Sequence, residues 1–302
     1  MTLTRTTQPP GASTGRLPRR FGSWLHRHAG VRLAALLSAP MAWLVVAYLG
    51  SLAVLFVSSL WTINAFTGNV IKEPSLSNFE TIFTQPVYRN VALRSIGVAA
   101  AVTLIDALIA LPMAFFMAKV ASPRSRTWLV IAILTPLWAS YLVKAYSWRV
   151  LLANGGPVDW LLGGPGHGPG YGLTATVIVL AYLWLPYMIL PVFTGLDRLP
   201  DSMLEASADL GARFGTTFRN VVLPMVLPSV VAGSIFTFSL SLGDYITVQI
   251  VGGRSQLIGN LVYANIGAAN NLPFAAALAT IPVAIMVGYL VAVRRTGALD
   301  QL

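Results

Sequence analysis

The sequence predicts an all-α membrane protein with six transmembrane helices, and three observations carry that expectation. Hydrophobic residues make up 56% of the 302 and charged residues only 10%, whereas a soluble domain covers its surface with about 25% charged residues. The mean hydropathy is +0.70. The apolar residues are also gathered into six runs of about 20 residues, the length that crosses a bilayer as a helix. Helix is the default because hydrocarbon offers no partner to a backbone N–H or C=O. The same counts exclude a soluble enzyme.

Residues 1–30, rich in Arg, Thr, Pro and Gly, show no apolar period and are expected to be a basic, disordered tail on the cytoplasmic side. They could pass for the start of a signal peptide. The apolar run that follows is about twice the length of a signal core, so an uncleaved first span is expected. Residues 31–302 are read as a single transmembrane domain. Its spans are placed at residues 36–60, 95–118, 128–148, 174–196, 228–250 and 274–293. Between the third and fourth lies an evident loop containing Gly163-Gly-Pro-Gly-His-Gly-Pro-Gly170.

Orientation follows from Lys and Arg, which favour the cytoplasmic side. With the N-terminus inside, the tail, the 2–3 and 4–5 connections and the C-terminus hold fourteen of the twenty basic residues. An N-in, C-in chain is therefore expected. The net charge of +10 is read as this topology signal, with lipid and not nucleic acid as the surrounding partner. No cysteine is present, and His26, His28 and His167 form no ligand set with paired carboxylates. No metal site and no catalytic residues are expected.

The connection at about 197–227 is read as an amphipathic helix. Ser202 and Glu205 have the S-x-x-E spacing of a capping box, and Gly211 stands where a left-handed cap is expected. Leu204, Ala208 and Gly211 line one face. A capped surface helix explains all of this without a partner. An ordered helix between two spans also suits a cytosolic docking point.

Glu205-Ala206-Ser207, then Gly211, then Val221-x-Leu223-Pro224 resembles the cytoplasmic signature of permease subunits of binding-protein-dependent ABC importers. Ser207 replaces an Ala of that signature and Val221 an Ile. The resemblance covers about residues 35–295. It implies the type I ABC importer permease fold in the bacterial cytoplasmic (inner) membrane. The implied partners are two ATPase subunits holding ATP and Mg, a second permease, identical or homologous, and an extracytoplasmic solute-binding protein. Glu205, Ala206, Ser207, Gly211, Leu223 and Pro224 would form the ATPase-docking loop. Leu142-Val-Lys-Ala-Tyr-Ser-Trp-Arg149, Asn154-Gly-Gly156, Leu242-Gly-Asp-Tyr245, Ile258-Gly-Asn260 and Asn271-Leu-Pro-Phe274 resemble the spermidine/putrescine type, which implies a polyamine cargo.

An acid within a span costs about 2.5–3.5 kcal/mol at its centre and marks a pathway or a pairing. Asp244 shares a helical face with Ser234, Thr237 and Ser241, beside Tyr245, and this stripe suits a path for a cationic solute. The hydroxyls equally suit bonds within and between helices, and Lys144 could neutralise Asp244. Asp106, mid-span, could face the path or pair across helices. Trp138, Tyr141 and Trp148 share a face of the third run; they could hold a cation over their rings or pack. Two other functions fit the sequence less well. An ion-coupled carrier would use Asp106 and Asp244, but no repeat relates residues 31–150 to 151–302. A membrane enzyme would need a nucleophile and base that the sequence does not supply.

Overall fold

The computed structural model describes residues 29–64 and 66–294. The expected tail at 1–30 therefore lies outside the described residues except for its last two, which are helical. Five helices are long and apolar enough to span a membrane: α1 (Leu36–Ser59), α3 (Pro86–Val120), α7 (Leu173–Asp197), α9 (Phe214–Gly243) and α12 (Leu272–Val293). Preceding α3 is a short helix, α2 (Ser77–Thr84). The expected third span is broken into α4 (Pro123–Trp138) and α5 (Tyr141–Leu151), bent by 95°. Counted as one span, this pair completes the six. Shorter helices are α6 (Pro157–Leu161), α8 (Asp201–Asp209), α10 (Ile246–Val251) and α11 (Ile258–Ile266).

The chain divides into two compact units, Met1–Val54 and Leu55–Leu302. Within its described residues the first is helix throughout, with Pro40 inside and a π-turn at Val45–Leu49. The second unit begins at the end of α1 and makes a two-stranded hairpin, Thr62–Ile63 against Val70–Ile71. Asn78 of α2 donates its side-chain amide to the carbonyls of Ser59 (2.9 Å) and Trp61 (2.7 Å), which fixes the turn out of α1.

The core of the second unit is the contact of α3, α7 and α9. Val98 and Val102 of α3 pack with Leu180 and Ala181 of α7, and Ala110 and Ala114 pack with Met188, Ile189 and Val192. Small residues allow this closeness, because association of helices in lipid rests on packing and not on a hydrophobic gain. Gly233 of α9 is one example: a Cβ there would sit 2.7 Å from Sδ and 3.2 Å from the backbone of Met188.

Two span boundaries differ from expectation for a reason visible in the chain. α9 begins at Phe214, not at 228, because a π-turn at Phe218–Val222 precedes Pro224. A proline lacks an N–H and crowds the carbonyl four residues back; the wider turn absorbs both defects and the helix runs on. At its other end α9 stops at Gly243. Asp244 is extended (ψ 126°), so the apolar run to 250 holds two helices where one is expected.

Candidate functional sites

The 4–5 connection is built around α8. Pro200 (φ −65°, ψ 134°) stands at its N-cap and Asp201 opens the helix. Ser202 is therefore inside the first turn, and the expected capping box with Glu205 is not formed. No side chain caps this end of the helix; Lys119 Nζ donates to the carbonyl of Leu199 (2.6 Å) just before it and to Asp201 Oδ1 (2.7 Å) in its first turn. The C-terminal end is as expected. Gly211 has φ 75°, and the N–H groups of Gly211 and Ala212 donate to the carbonyls of Ala208 (2.8 Å) and Ser207 (3.1 Å). These are the paired bonds of a Schellman cap, which needs a left-handed residue.

One face of α8 is bound to the bundle and the other is open. Leu204 packs against the buried cluster that includes Met117, Leu196, Leu199 and Val222. The buried Ser207 shares a hydrogen bond of 2.8 Å with Thr217, so the serine that departs from the signature's Ala secures α8 to the start of α9. Glu205, Ala206, Ala208, Gly211 and Pro224 are exposed and Leu223 is half-buried. Met203 and Leu210 are exposed as well, Leu210 to 88%. The sequence reading did not single out these two. Their signal was an apolar residue on the helix face away from Leu204.

A second constellation lies where α9 breaks. Tyr141, Trp184, Ser239, Leu240, Gly243, Asp244, Tyr245 and Ile246 line a recess of about 340 Å³, open on one side. The carboxylate of Asp244, 8% exposed, accepts from the Tyr141 hydroxyl, from the Thr247 N–H at 2.8 Å and from the Thr247 hydroxyl at 3.3 Å. A short polar side chain that captures an N–H three residues on starts a new helix, which explains both the break and α10. The partners of Asp244 are thus Tyr141 and Thr247, not Lys144. Tyr141 stacks on Trp184 with ring centres 6.0 Å apart, Trp184 meets Tyr187 edge-on at 5.9 Å, and Tyr245 stacks on Tyr263 at 5.0 Å. An acid framed by aromatic faces can hold an organic cation, since ring quadrupole and carboxylate attract the same charge.

The structure brings together Asp244, Tyr245 and Tyr141 but not the other expected pathway residues. Trp138 ends α4 and is 90% exposed; the bend removes it from the face of Tyr141. Trp148 packs on Tyr182 at 5.3 Å. The expected stripe on α9 is interrupted before Asp244, and its hydroxyls are buried. Ser234 bonds the Val231 carbonyl and Tyr289 (2.6 Å each), and Thr237 bonds Thr103 at 3.4 Å. The Ser241 hydroxyl and both oxygens of Asp106 are buried without a hydrogen-bond partner among the described residues. Asp106 is fully enclosed within the chain and does not line the recess. Trp184, Ser239 and Thr247 were missed because each sits in an unbroken apolar run.

The loop between α5 and α7 has a carboxylate at its centre. Asp159 is 1% exposed and accepts the N–H groups of Gly155 (2.7 Å), Gly166 (2.8 Å) and Gly168 (2.6 Å). The N–H groups of Gly155 and Gly166, then of Gly168, hold its carboxyl below the usual carboxylate range against the opposite effect of burial. A depressed value means that the stabilisation is complete above the unfolded value of about 3.9 and is lost as pH falls through the folded one. The loop is therefore expected to be indifferent to pH between about 5 and 8. Asp159→Asn is expected to speed proteolytic cleavage between residues 160 and 170 at neutral pH; equal rates would mean the loop does not depend on that charge.

Comparison with known proteins gives a consistent result. Residues 92–299 match the family described as binding-protein-dependent transport system inner membrane component. The chain is 43% identical over 299 residues to the inner membrane ABC transporter permease protein YdcU of Escherichia coli (strain K12), covering 94% of this chain and 95% of that one. It is 31% identical over 210 residues to the spermidine/putrescine transport system permease protein PotB of Haemophilus influenzae (strain ATCC 51907 / DSM 11121 / KW20 / Rd), covering 68% and 73%. The fold is shared with a chain of a bacterial ABC transporter involved in import of the acidic polysaccharide alginate, at TM-score 0.66 and 15% identity over 91% of this chain and 99% of that one. A multi-pass helical chain of this length, matched over most of its second unit, belongs to the binding-protein-dependent transport system inner membrane components, the non-catalytic permease subunits of ABC importers.

Proposed function

We propose that this chain forms half of the pathway of an ATP-driven polyamine importer, taking a cargo such as spermidine or putrescine. The observation that carries the cargo is the recess at the break of α9, where Asp244 stands among Tyr141, Trp184 and Tyr245. A flexible cation needs an anion to offset its desolvation and ring faces to hold its charge and methylenes together. The likeness to PotB supports the same cargo. Another small solute is the competing reading, because YdcU, at higher identity, carries no cargo in its name.

In this reading both termini are cytoplasmic, as the distribution of Lys and Arg favours. The open face of α8, with Glu205, Ala206, Leu210 and Gly211, docks on one of two ATPase subunits. A second permease subunit completes the pathway, and a solute-binding protein delivers cargo at the opposite end. The test is purification from membranes with neighbouring subunits, followed by ATP hydrolysis with receptor and candidate solutes. Stimulation by receptor loaded with spermidine or putrescine is expected. Stimulation by another solute alone would discard the polyamine. A chain that purifies without an ATPase would discard the importer.

A further inference from the structure

We propose that Lys119 is a positioning residue that ties the docking helix α8 to the ends of α3 and α7, so that a displacement of α8 is passed to both spans. The inference rests on the reading of α8 as the ATPase-docking element and adds the route by which its movement would reach the spans.

The observations are independent of that reading. Lys119 lies in the π-turn that ends α3, Phe116–Val120, where the N–H of Ala121 donates to the Phe116 carbonyl at 2.8 Å. A π-turn inserts one extra residue, which offsets every following side chain by about 100°. The Lys119 side chain is only 10% exposed, and a buried ammonium persists only if its donors are satisfied. Its two partners belong to consecutive elements. Leu199 O is a carbonyl just past the end of α7, where the helix dipole favours a cation. Asp201 is the acid in the first turn of α8, where the dipole favours an anion. One ammonium thus joins three helix ends.

A second contact repeats the arrangement. Arg126, in the first turns of α4, pairs with Asp197 at 2.5 Å and lies over the ring of Phe193 at 4.7 Å, both near the end of α7. The hinge between α7 and α8 is held by cations from the 2–3 connection on either side. Leu204, half-buried, packs against the cluster that holds Met117 and Val222, so α8 rests on the π-turns of α3 and α9. Pushed from its open face, α8 cannot tilt freely about Pro200 while Lys119 holds Leu199 and Asp201; the load goes into α3 and α7. Nothing here needs Lys119 to touch the ATPase or the cargo.

The chain contains no cysteine, so paired spin labels can be placed at L93C on α3 and L173C on α7, both exposed. The experiment compares the ATP-induced change in label separation in the assembled complex for the parent chain, K119M, K119R and D201N. The expected result is that K119M assembles and hydrolyses ATP while the change shrinks at least about fivefold. K119R, which can still donate to both acceptors, is expected to retain it, and D201N to lie between. A full change in K119M, or equal loss in K119M and K119R, overturns the proposal. If K119M does not assemble, D201N decides: Asp201 has a side chain 75% exposed, and a full change there overturns the clamp. Absence of any ATPase from the purified parent would overturn the importer reading itself and the clamp with it.

Discussion

Replacing Asp244 with alanine is expected to reduce spermidine uptake about 30- to 100-fold, the consequence of losing one desolvated charge contact of about 2–3 kcal/mol. The change removes the carboxylate that faces the recess and also the acceptor that orients Tyr141 and the Thr247 N–H. Two controls separate these roles. Tyr141→Phe deletes the hydroxyl's hydrogen bonds to Asp244 and Thr247 and leaves charge and ring, so a loss of about tenfold or less is expected. Asp244→Asn keeps the shape and an acceptor for Thr247 while neutralising the site, and should resemble the alanine variant if charge is what the cargo meets. Uptake of labelled spermidine into proteoliposomes is the measurement, with co-purification of the ATPase as the check on assembly. Normal uptake by Asp244→Ala would remove this acid from the pathway and leave it a helix-starting residue.

Leu210→Asp is expected to abolish co-purification with the ATPase while the chain still inserts. Leu210 is 88% exposed at the end of α8, next to the left-handed Gly211, and in the docking reading its side chain is an apolar anchor. Losing such an anchor costs about 2–4 kcal/mol, or roughly 30- to 1,000-fold in affinity, and burying a carboxylate in its place costs more. The Leu210 side chain is almost fully exposed among the described residues, so a stable chain with lost docking is the discriminating pattern. Retained docking would move the contact surface to Glu205 and Met203.

How far the sequence alone went can be judged from particular elements. α7 and α12 lie within a residue or two of their expected bounds, because an apolar run with polar flanks determines both ends when nothing interrupts it. The cap at Gly211 was legible because only one conformation serves there and glycine adopts it. The break at Asp244 was not, since hydropathy continues through Tyr245–Val251; the hint was local, an acid three residues before a threonine after Gly243. The bend between α4 and α5 was equally hidden, because Ala139 and Ser140 do not interrupt the average. The capping box failed for a different reason. Ser202 and Glu205 have the right spacing, but Pro200 starts the helix earlier, and the acid that opens it, Asp201, pairs with Lys119, 82 residues away in the chain. Such partners are set by tertiary contact and leave no periodicity. Asp106 was legible as an anomaly only, and the structure adds that it is enclosed by the α3 bundle face with both oxygens unmatched.

The Asp159 loop has a consequence for association rates. Three glycine N–H groups converge on one buried carboxylate, so the segment from Gly155 to Gly168 is ordered before anything approaches it. Trp160 and Leu161, exposed to 81% and 77%, are thus displayed on a pre-set frame. A visitor landing there meets a surface whose conformational search is already over, and none of its binding free energy goes into ordering that segment. In the proposed reading, with a solute-binding protein arriving at this end, its capture would be limited by encounter and orientation, and not by a folding step coupled to contact.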